Sequence, residues 1–496
     1  MNRRDLLKTF GGIPVLASLG GAYLFHSSRI NKKLREPQNE IVKSWKLKDF
    51  SLEMPQQPND DRLINAGIIG FGWQGTQLAK AMGFVHPNWV EQNTVNGKPN
   101  WQIKDFLAQF DLKARIAGIC DLYDGNAQKG VVISQGFGPD GKEKFPGAKR
   151  YKHYTDLLHD KDIEAVIIAT PDFWHATIVK EAIRSGKHIY CEKPMAIDIE
   201  DAREIRQMLS ESNVTFQLGH QNFQQVSHLR ANELIKKNVL GPINLVEFTA
   251  NRFRVQNANP QFPKNANEKT VDWDAFQEIL PVKKPFDLHR YFNWYYFLDY
   301  GIGVAGTMLT HEYSAADQIL EMGIPASVTS SGGKYVTRFE SEIPDVFNTV
   351  MEFPDKEYSF LYSITYGNSA PRGRWIMGED GTMNVGGDVA VYPELRSPKY
   401  KDANPLKPIY SFTPGQDIDA VTSASEVYFA KKGLLNTFRY GRQIDTLHLH
   451  VKEWLNCIRT GGQTSCHIGH GVNEVVACVA AHKSYMEKKT ILLNEI

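Results

Sequence analysis

The sequence is short of cysteine, of any excess of one charge, and of long apolar runs. Its five cysteines, Cys120, Cys191, Cys457, Cys466 and Cys478, are scattered over 496 residues with no C-x-x-C spacing. An odd number at such intervals argues against a disulfide framework and against a cysteine zinc site, and no metal is expected. Lys plus Arg number 57 against 56 Asp plus Glu, so the positive field that draws proteins to nucleic acid or anionic lipid is missing. Beyond Phe25 no apolar stretch approaches the ~20 residues needed to cross a bilayer. Gly and Pro, at 39 and 24, are spread out, which excludes collagen-like structure and wholesale disorder. What is there is 42% hydrophobic, enough for the cores of two or three domains.

The first residues form a separate unit. Arg3-Arg4-Asp5-Leu6-Leu7-Lys8 precedes a weakly apolar run from Phe10 to Phe25 broken by Gly11, Gly12, Gly20 and Gly21. A charged start followed by a short, glycine-weakened apolar run predicts a twin-arginine export signal over 1–33 and a periplasmic protein, with an uncleaved anchor as the alternative. Residues 34–63 are polar and proline-punctuated, a tether.

From Ile64 the pattern becomes an alternation of strands and helices. Strands are predicted at Leu63 to Ile69, Ala114 to Cys120, Ala165 to Ala169, His188 to Cys191 and Thr215 to Gly219. Helices are predicted at Gln74 to Met82, Trp174 to Ser185 and Ile199 to Ser212. Such alternation implies parallel pairing with right-handed crossovers, a doubly wound α/β domain over 64–222. After it, β-rich segments such as Phe347 to Phe353 and Tyr358 to Thr365 are separated by turn signals, with helical periodicity at Thr310 to Glu321, Thr446 to Arg459 and Gly471 to Glu487. Residues 223–496 are therefore expected to be an α+β domain with a large open, mostly antiparallel sheet, its final helices packing back on the first domain.

Gly70-Phe71-Gly72-Trp73-Gln74-Gly75 follows the first strand and opens a helix. Gly70 permits the tight turn, Gly72 lets the backbone approach a pyrophosphate, and Gly75 allows close helix packing. Asp121 closes the next strand, where a carboxylate accepts from ribose hydroxyls and disfavours a 2′-phosphate, so NAD is expected over NADP. It lies 51 residues after Gly70 where ~20 is usual, which marks residues 84–111 as an insertion in the crossover.

Together with Ala169-Thr170-Pro171-Asp172-Phe173-Trp174-His175 and Cys191-Glu192-Lys193-Pro194, these residues resemble the Gfo/Idh/MocA oxidoreductases, named for glucose–fructose oxidoreductase and inositol dehydrogenase. The resemblance spans about residues 64 to 496. It implies a nicotinamide-dependent enzyme acting on a sugar or polyol hydroxyl, with Lys193 at the reacting hydroxyl or the nicotinamide ribose. Phe71, Thr170, Pro171, His175 and Glu192 join the glycines and Asp121 as cofactor contacts. It also implies a general-base histidine, His311, but the aspartate often found four residues earlier is replaced by Thr307, which can only hydrogen-bond. His220, Arg252, Tyr300 and Thr307 are candidate substrate contacts, and Trp294-Tyr295-Tyr296-Phe297 a candidate stacking surface for sugar.

Three functions follow for a carbohydrate ligand. They are a dehydrogenase, a redox-neutral NAD-dependent glycosidase working by oxidation, elimination and reduction, and a sugar-binding protein that keeps the cofactor as structure. The open second sheet makes self-association through its face the expected assembly.

Overall fold

The computed structural model describes residues 40–48, 50, 61–136, 143–252, 262–370, 373–404, 406–413 and 436–493. The export signal expected at 1–33 and most of the tether lie outside the described residues.

The first sheet contains β1 (Ile64–Ile69), β2 (Ala114–Cys120), β3 (Lys149–Tyr151), β4 (Ala165–Ile168), β5 (His188–Cys191) and β6 (Phe216–Leu218). Its six strands run in the order β3-β2-β1-β4-β5-β6, and every pairing is parallel. This is the doubly wound order whose chain reversal, between β1 and β4, leaves a crevice at the carboxyl ends of the strands. Continuous runs such as Ala165-Val166-Ile167-Ile168, buried at every position, suit strands covered by helices on both faces. The helices flanking the crevice are α1 (Trp73–Ala81) and α2 (Asp172–Arg184).

Residues 84–111, expected to be an insertion, fold as a separate small unit between α1 and β2. It carries two short helices, Pro87–Gln92 and Trp101–Leu107, and a small hairpin turning at Asn96-Gly97, both with positive φ. It leaves the pairing of Ile69 with Cys120 in register.

The second sheet contains β7 (Ile243–Thr249), β8 (Ser327–Gly333), β9 (Val346–Phe353), β10 (Tyr358–Thr365), β11 (Gly373–Gly378), β12 (Gly381–Val385), β13 (Val389–Pro393), β14 (Tyr410–Phe412) and β15 (Ile491–Leu492). Its nine strands run β14-β13-β12-β11-β7-β10-β9-β8-β15. All pairings are antiparallel except β7 with β10, so the sheet is open and mostly antiparallel. Alternating burial along β10 puts Phe360, Tyr362 and Ile364 on a covered face and leaves the intervening residues half-exposed.

Three further helices are α3 (Thr310–Leu320), α4 (Thr446–Thr460) and α5 (Ile468–Glu487), of which α5 packs on strands of both sheets. On α4, Leu447, Val451, Trp454, Leu455 and Ile458 join Ile64, Ile68, Leu78 and Ile167 in one apolar cluster. Trp454 is fully buried and packs edge-on against Tyr190 of β5. Helix α5 packs across β8 and against the helix Ile199–Ser210. All five cysteines are free and buried, and burial pushes their thiols up; they act as small hydrophobes.

Candidate active site

A cavity of about 860 Å³ opens along the carboxyl edge of the first sheet, walled on its other side by the second domain. The glycine turn after β1 forms its floor. Gly70 has φ +86°, and a Cβ there would lie 2.5 Å from the carbonyl oxygen of Ala169. A Cβ on Gly75 would lie 2.2 Å from the carbonyl oxygen of Gly70. Both glycines are required by packing. Gly72 differs: an added Cβ would meet nothing within 4 Å, because this residue borders the cavity at the N-cap of α1.

Asp121 closes β2 and also lines the cavity. Its carboxylate accepts from the backbone N–H of Phe71 at 2.6 Å and of Tyr123 at 2.8 Å. Burial raises its pKa, opposed by those two donors and by Lys129. The Phe71 side chain itself lies in the core, so its part in the site is the backbone donor that orients Asp121.

Thr170 and Pro171 follow β4 on the cavity wall, and the buried Thr170 hydroxyl has no hydrogen-bond partner among the described residues. His175 braces two loops: its Nδ1 is 2.7 Å from the Pro194 carbonyl and its Nε2 2.8 Å from the Thr170 carbonyl. Burial holds it down at about 4, and the neutral ring, with a single N–H, donates to only one of these two carbonyls at a time. Glu192 accepts from Gln74 Nε2 at 2.6 Å. Lys193 donates to the carbonyls of Gly306 at 3.1 Å and Thr307 at 3.3 Å.

Those carbonyls belong to a π-helical turn, Ala305–Leu309, that leads into α3. Such turns recur at functional sites. Thr307 and His311 both line the cavity, but the Thr307 hydroxyl donates back to the Gly303 carbonyl at 3.1 Å, its only hydrogen bond among the described residues. The His311 ring instead stands edge-on to His220 at 5.5 Å. Its pKa is pushed well down by burial and by Lys193, His220, Arg252 and Arg374. Helix α3 is pinned to the second sheet by a buried bidentate pair, Arg374 Nε to Glu312 Oε2 at 2.7 Å and Nη2 to Oε1 at 3.2 Å.

Two residues expected at the substrate lie behind the wall instead. His220 is 1% exposed and hydrogen-bonds Glu474 of α5, so it supports His311 from the core side. Tyr300 is fully buried against Phe173, Phe276 and Phe297; its large ring completes an aromatic cluster. Arg252, Trp294 and Tyr295 do line the cavity.

Sequence reasoning missed a strap from the second domain, residues 262–288, that crosses the first domain near Asp121. Tyr123 Oη donates to Asn265 at 2.6 Å, Asp124 N–H to the Thr270 carbonyl at 2.9 Å, and Asp272 N–H to the Leu122 carbonyl at 2.9 Å. Trp174 Nε1 donates to the Phe276 carbonyl at 2.9 Å. Asp172 was also missed, although it sits inside the run quoted for its neighbours. A carboxylate at the first helical position after a strand, facing a ligand crevice, was the available signal.

An open Gly72 cradle at a helix N-terminus, a Thr170 hydroxyl without a partner among the described residues and the cavity-lining Asp121 carboxylate are the kinds of donor and acceptor a dinucleotide needs. Residues 64–220 match the family model described as "Oxidoreductase family, NAD-binding Rossmann fold". These residues belong to the Gfo/Idh/MocA oxidoreductases. An uncharacterized oxidoreductase of Streptococcus pneumoniae is 28% identical over 240 residues, 47% of this chain and 55% of that protein. The alignment therefore spans about half of that relative's length. A 2,7-anhydro-N-acetylneuraminate hydratase of Escherichia coli is 38% identical over 186 residues, 36% of this chain and 38% of the hydratase. Among solved structures, levoglucosan dehydrogenase in complex with NADH shares the fold with a TM-score of 0.59 at 15% identity, covering 87% of this chain and 99% of that one. Among the described residues no helix is long and apolar enough to cross a membrane.

Proposed function

We propose that this protein is a nicotinamide-dependent oxidoreductase acting on a hydroxyl of a sugar, polyol or glycoside. The observation that carries the reading is one cavity lined by Gly72, Asp121 and Thr170 at one part and by Lys193, Thr307 and His311 at another. Gly70, Gly72 and the N-terminus of α1 would hold the pyrophosphate, and Asp121 a ribose, which favours NAD over NADP. When bound, the nicotinamide supplies the hydride acceptor. Lys193, with its ammonium anchored on two carbonyls, is placed to hydrogen-bond the reacting oxygen and stabilise charge developing there. Arg252, Trp294 and Tyr295 offer a fork and faces suited to a hydroxyl-rich ring.

The strap favours a second reading. Its three hydrogen bonds to Tyr123, Asp124 and Leu122 cover the first domain beside Asp121, which suits a resident cofactor. With export by the twin-arginine route to a periplasm that offers no obvious nicotinamide pool, a cofactor restored in every turnover fits a redox-neutral glycosidase. A sugar-binding role that keeps the cofactor as structure has less support, since it gives Lys193 no task. We also place self-association on the open second sheet, a point that sedimentation would test.

The experiment is to incubate the purified full chain with candidate glycosides while following NADH absorbance and aglycone release. Stoichiometric NADH without bond cleavage supports the dehydrogenase. Cleavage without net NADH supports the glycosidase. A chain that neither carries nor takes up a nicotinamide dinucleotide rules out both.

A further inference from the structure

Asp172 is the first residue of α2 and is 5% exposed, yet it lies on the cavity wall. No hydrogen bond reaches its carboxylate among the described residues. Its Oδ2 faces the glycine-rich turn before α3, 3.1 Å from where a Cβ on Gly301 would be and 3.2 Å from one on Gly306. Side chains at either position would crowd the carboxylate. Lys193 donates to the carbonyl of the same Gly306, so carboxylate and ammonium meet at one turn of the second domain.

The charged groups acting on Asp172 are Lys193 and Glu192 from the loop after β5 and Glu474 from α5. Burial together with the two carboxylates outweighs the ammonium and pushes Asp172 up to about 7. His311 is opposite in character, since burial and its cationic neighbours hold the imidazole neutral. A proton taken from substrate is poorly kept there.

We propose that Asp172 is the proton-accepting catalytic residue of this cavity, supplying from the first domain the carboxylate that Thr307 does not supply from the second. The assignment rests on the dinucleotide reading above. In oxidation of a secondary hydroxyl, the O–H bond breaks and its proton passes to the Asp172 carboxylate. The electron pair left on oxygen becomes the second bond of the carbonyl, and the hydride lost from carbon goes to the nicotinamide dinucleotide. Reduction returns both. Lys193 keeps its proton and hydrogen-bonds the oxygen throughout.

The test uses NAD+ and NADH as probes, titrated by tryptophan fluorescence between pH 5.5 and 8.5 against the full chain freed of co-purified nucleotide. An ionised Asp172 attracts the cationic ring of NAD+ but not the neutral ring of NADH. The affinity for NAD+ relative to NADH should therefore rise about fivefold from pH 6 to pH 8, the part of the tenfold limit of a one-unit depression of the carboxyl on binding that falls in this window. In Asp172→Asn the ratio should be flat, with NADH bound as in the wild type. Adding Thr307→Asp to that variant should restore part of the rise. An unchanged pH dependence in Asp172→Asn overturns the assignment. If that variant fails to bind NADH, the wild type decides, and a ratio constant from pH 6 to pH 8 overturns the assignment. A wild type that binds neither nucleotide overturns the dinucleotide reading, and this one with it.

Discussion

The two sheets bury apolar surface in different ways. Strands of the first are covered on both faces, so their side chains are committed to packing and chemistry is left to the strand ends, where Gly70, Asp121, Thr170 and Lys193 emerge. The second sheet has one covered face and one open face, and contributes to the site mainly through what it carries, α3 with His311 and the strap. A change at an end of the first sheet should therefore alter function with little loss of stability. A change on the covered face of the second should do the reverse.

The largest effect is expected at Lys193. Lys193→Ala should lower turnover by about 10³, within the range for a group that stabilises or protonates a reacting oxygen, while the bound dinucleotide, measured after denaturation, stays near the wild-type amount. Full activity in that variant would refute the site. Phe360→Ala, on the covered face of β10, should cost about 3–5 kcal/mol through the cavity it leaves, read from the urea midpoint, with NAD affinity intact once the protein is folded. Gly72→Ala has room for its methyl, so it should fold normally yet bind NAD about tenfold more weakly in a fluorescence titration, since the methyl takes space the pyrophosphate needs. Val350→Thr, 36% exposed on the open face of β9, should change stability by no more than about 0.5 kcal/mol. A larger loss in the oligomeric form than in the monomer would show that this face is covered in an assembly.

The parts legible in the sequence were those where stereochemistry or spacing leaves one solution. Gly70 and Gly75 are required by close backbone contacts. Asp121 stayed legible at an unusual spacing because the insertion lengthens the crossover without shifting the strand. The long helices that were predicted lie within three residues of their places, α5 beginning at Ile468 where periodicity suggested Gly471, but the 11-residue helices Asp124–Ser134 and Val226–Lys236 were not predicted. Short edge strands such as Lys149–Tyr151 and Tyr410–Phe412 carry too few residues to show a period. The strap was invisible because it acts through isolated backbone and side-chain hydrogen bonds to segments far away in the chain. Asp172 was missed because part of what makes it unusual comes from Glu474, on a helix far along the chain. Tyr300 and His220 have residue types common to sites and cores, and only burial separates the two.

The burial of Trp454 against Tyr190 has a bearing on synthesis. A ribosome that has released the whole nucleotide-binding half has still not delivered the helix that closes its core. Maturation of that half therefore waits for almost the entire polypeptide.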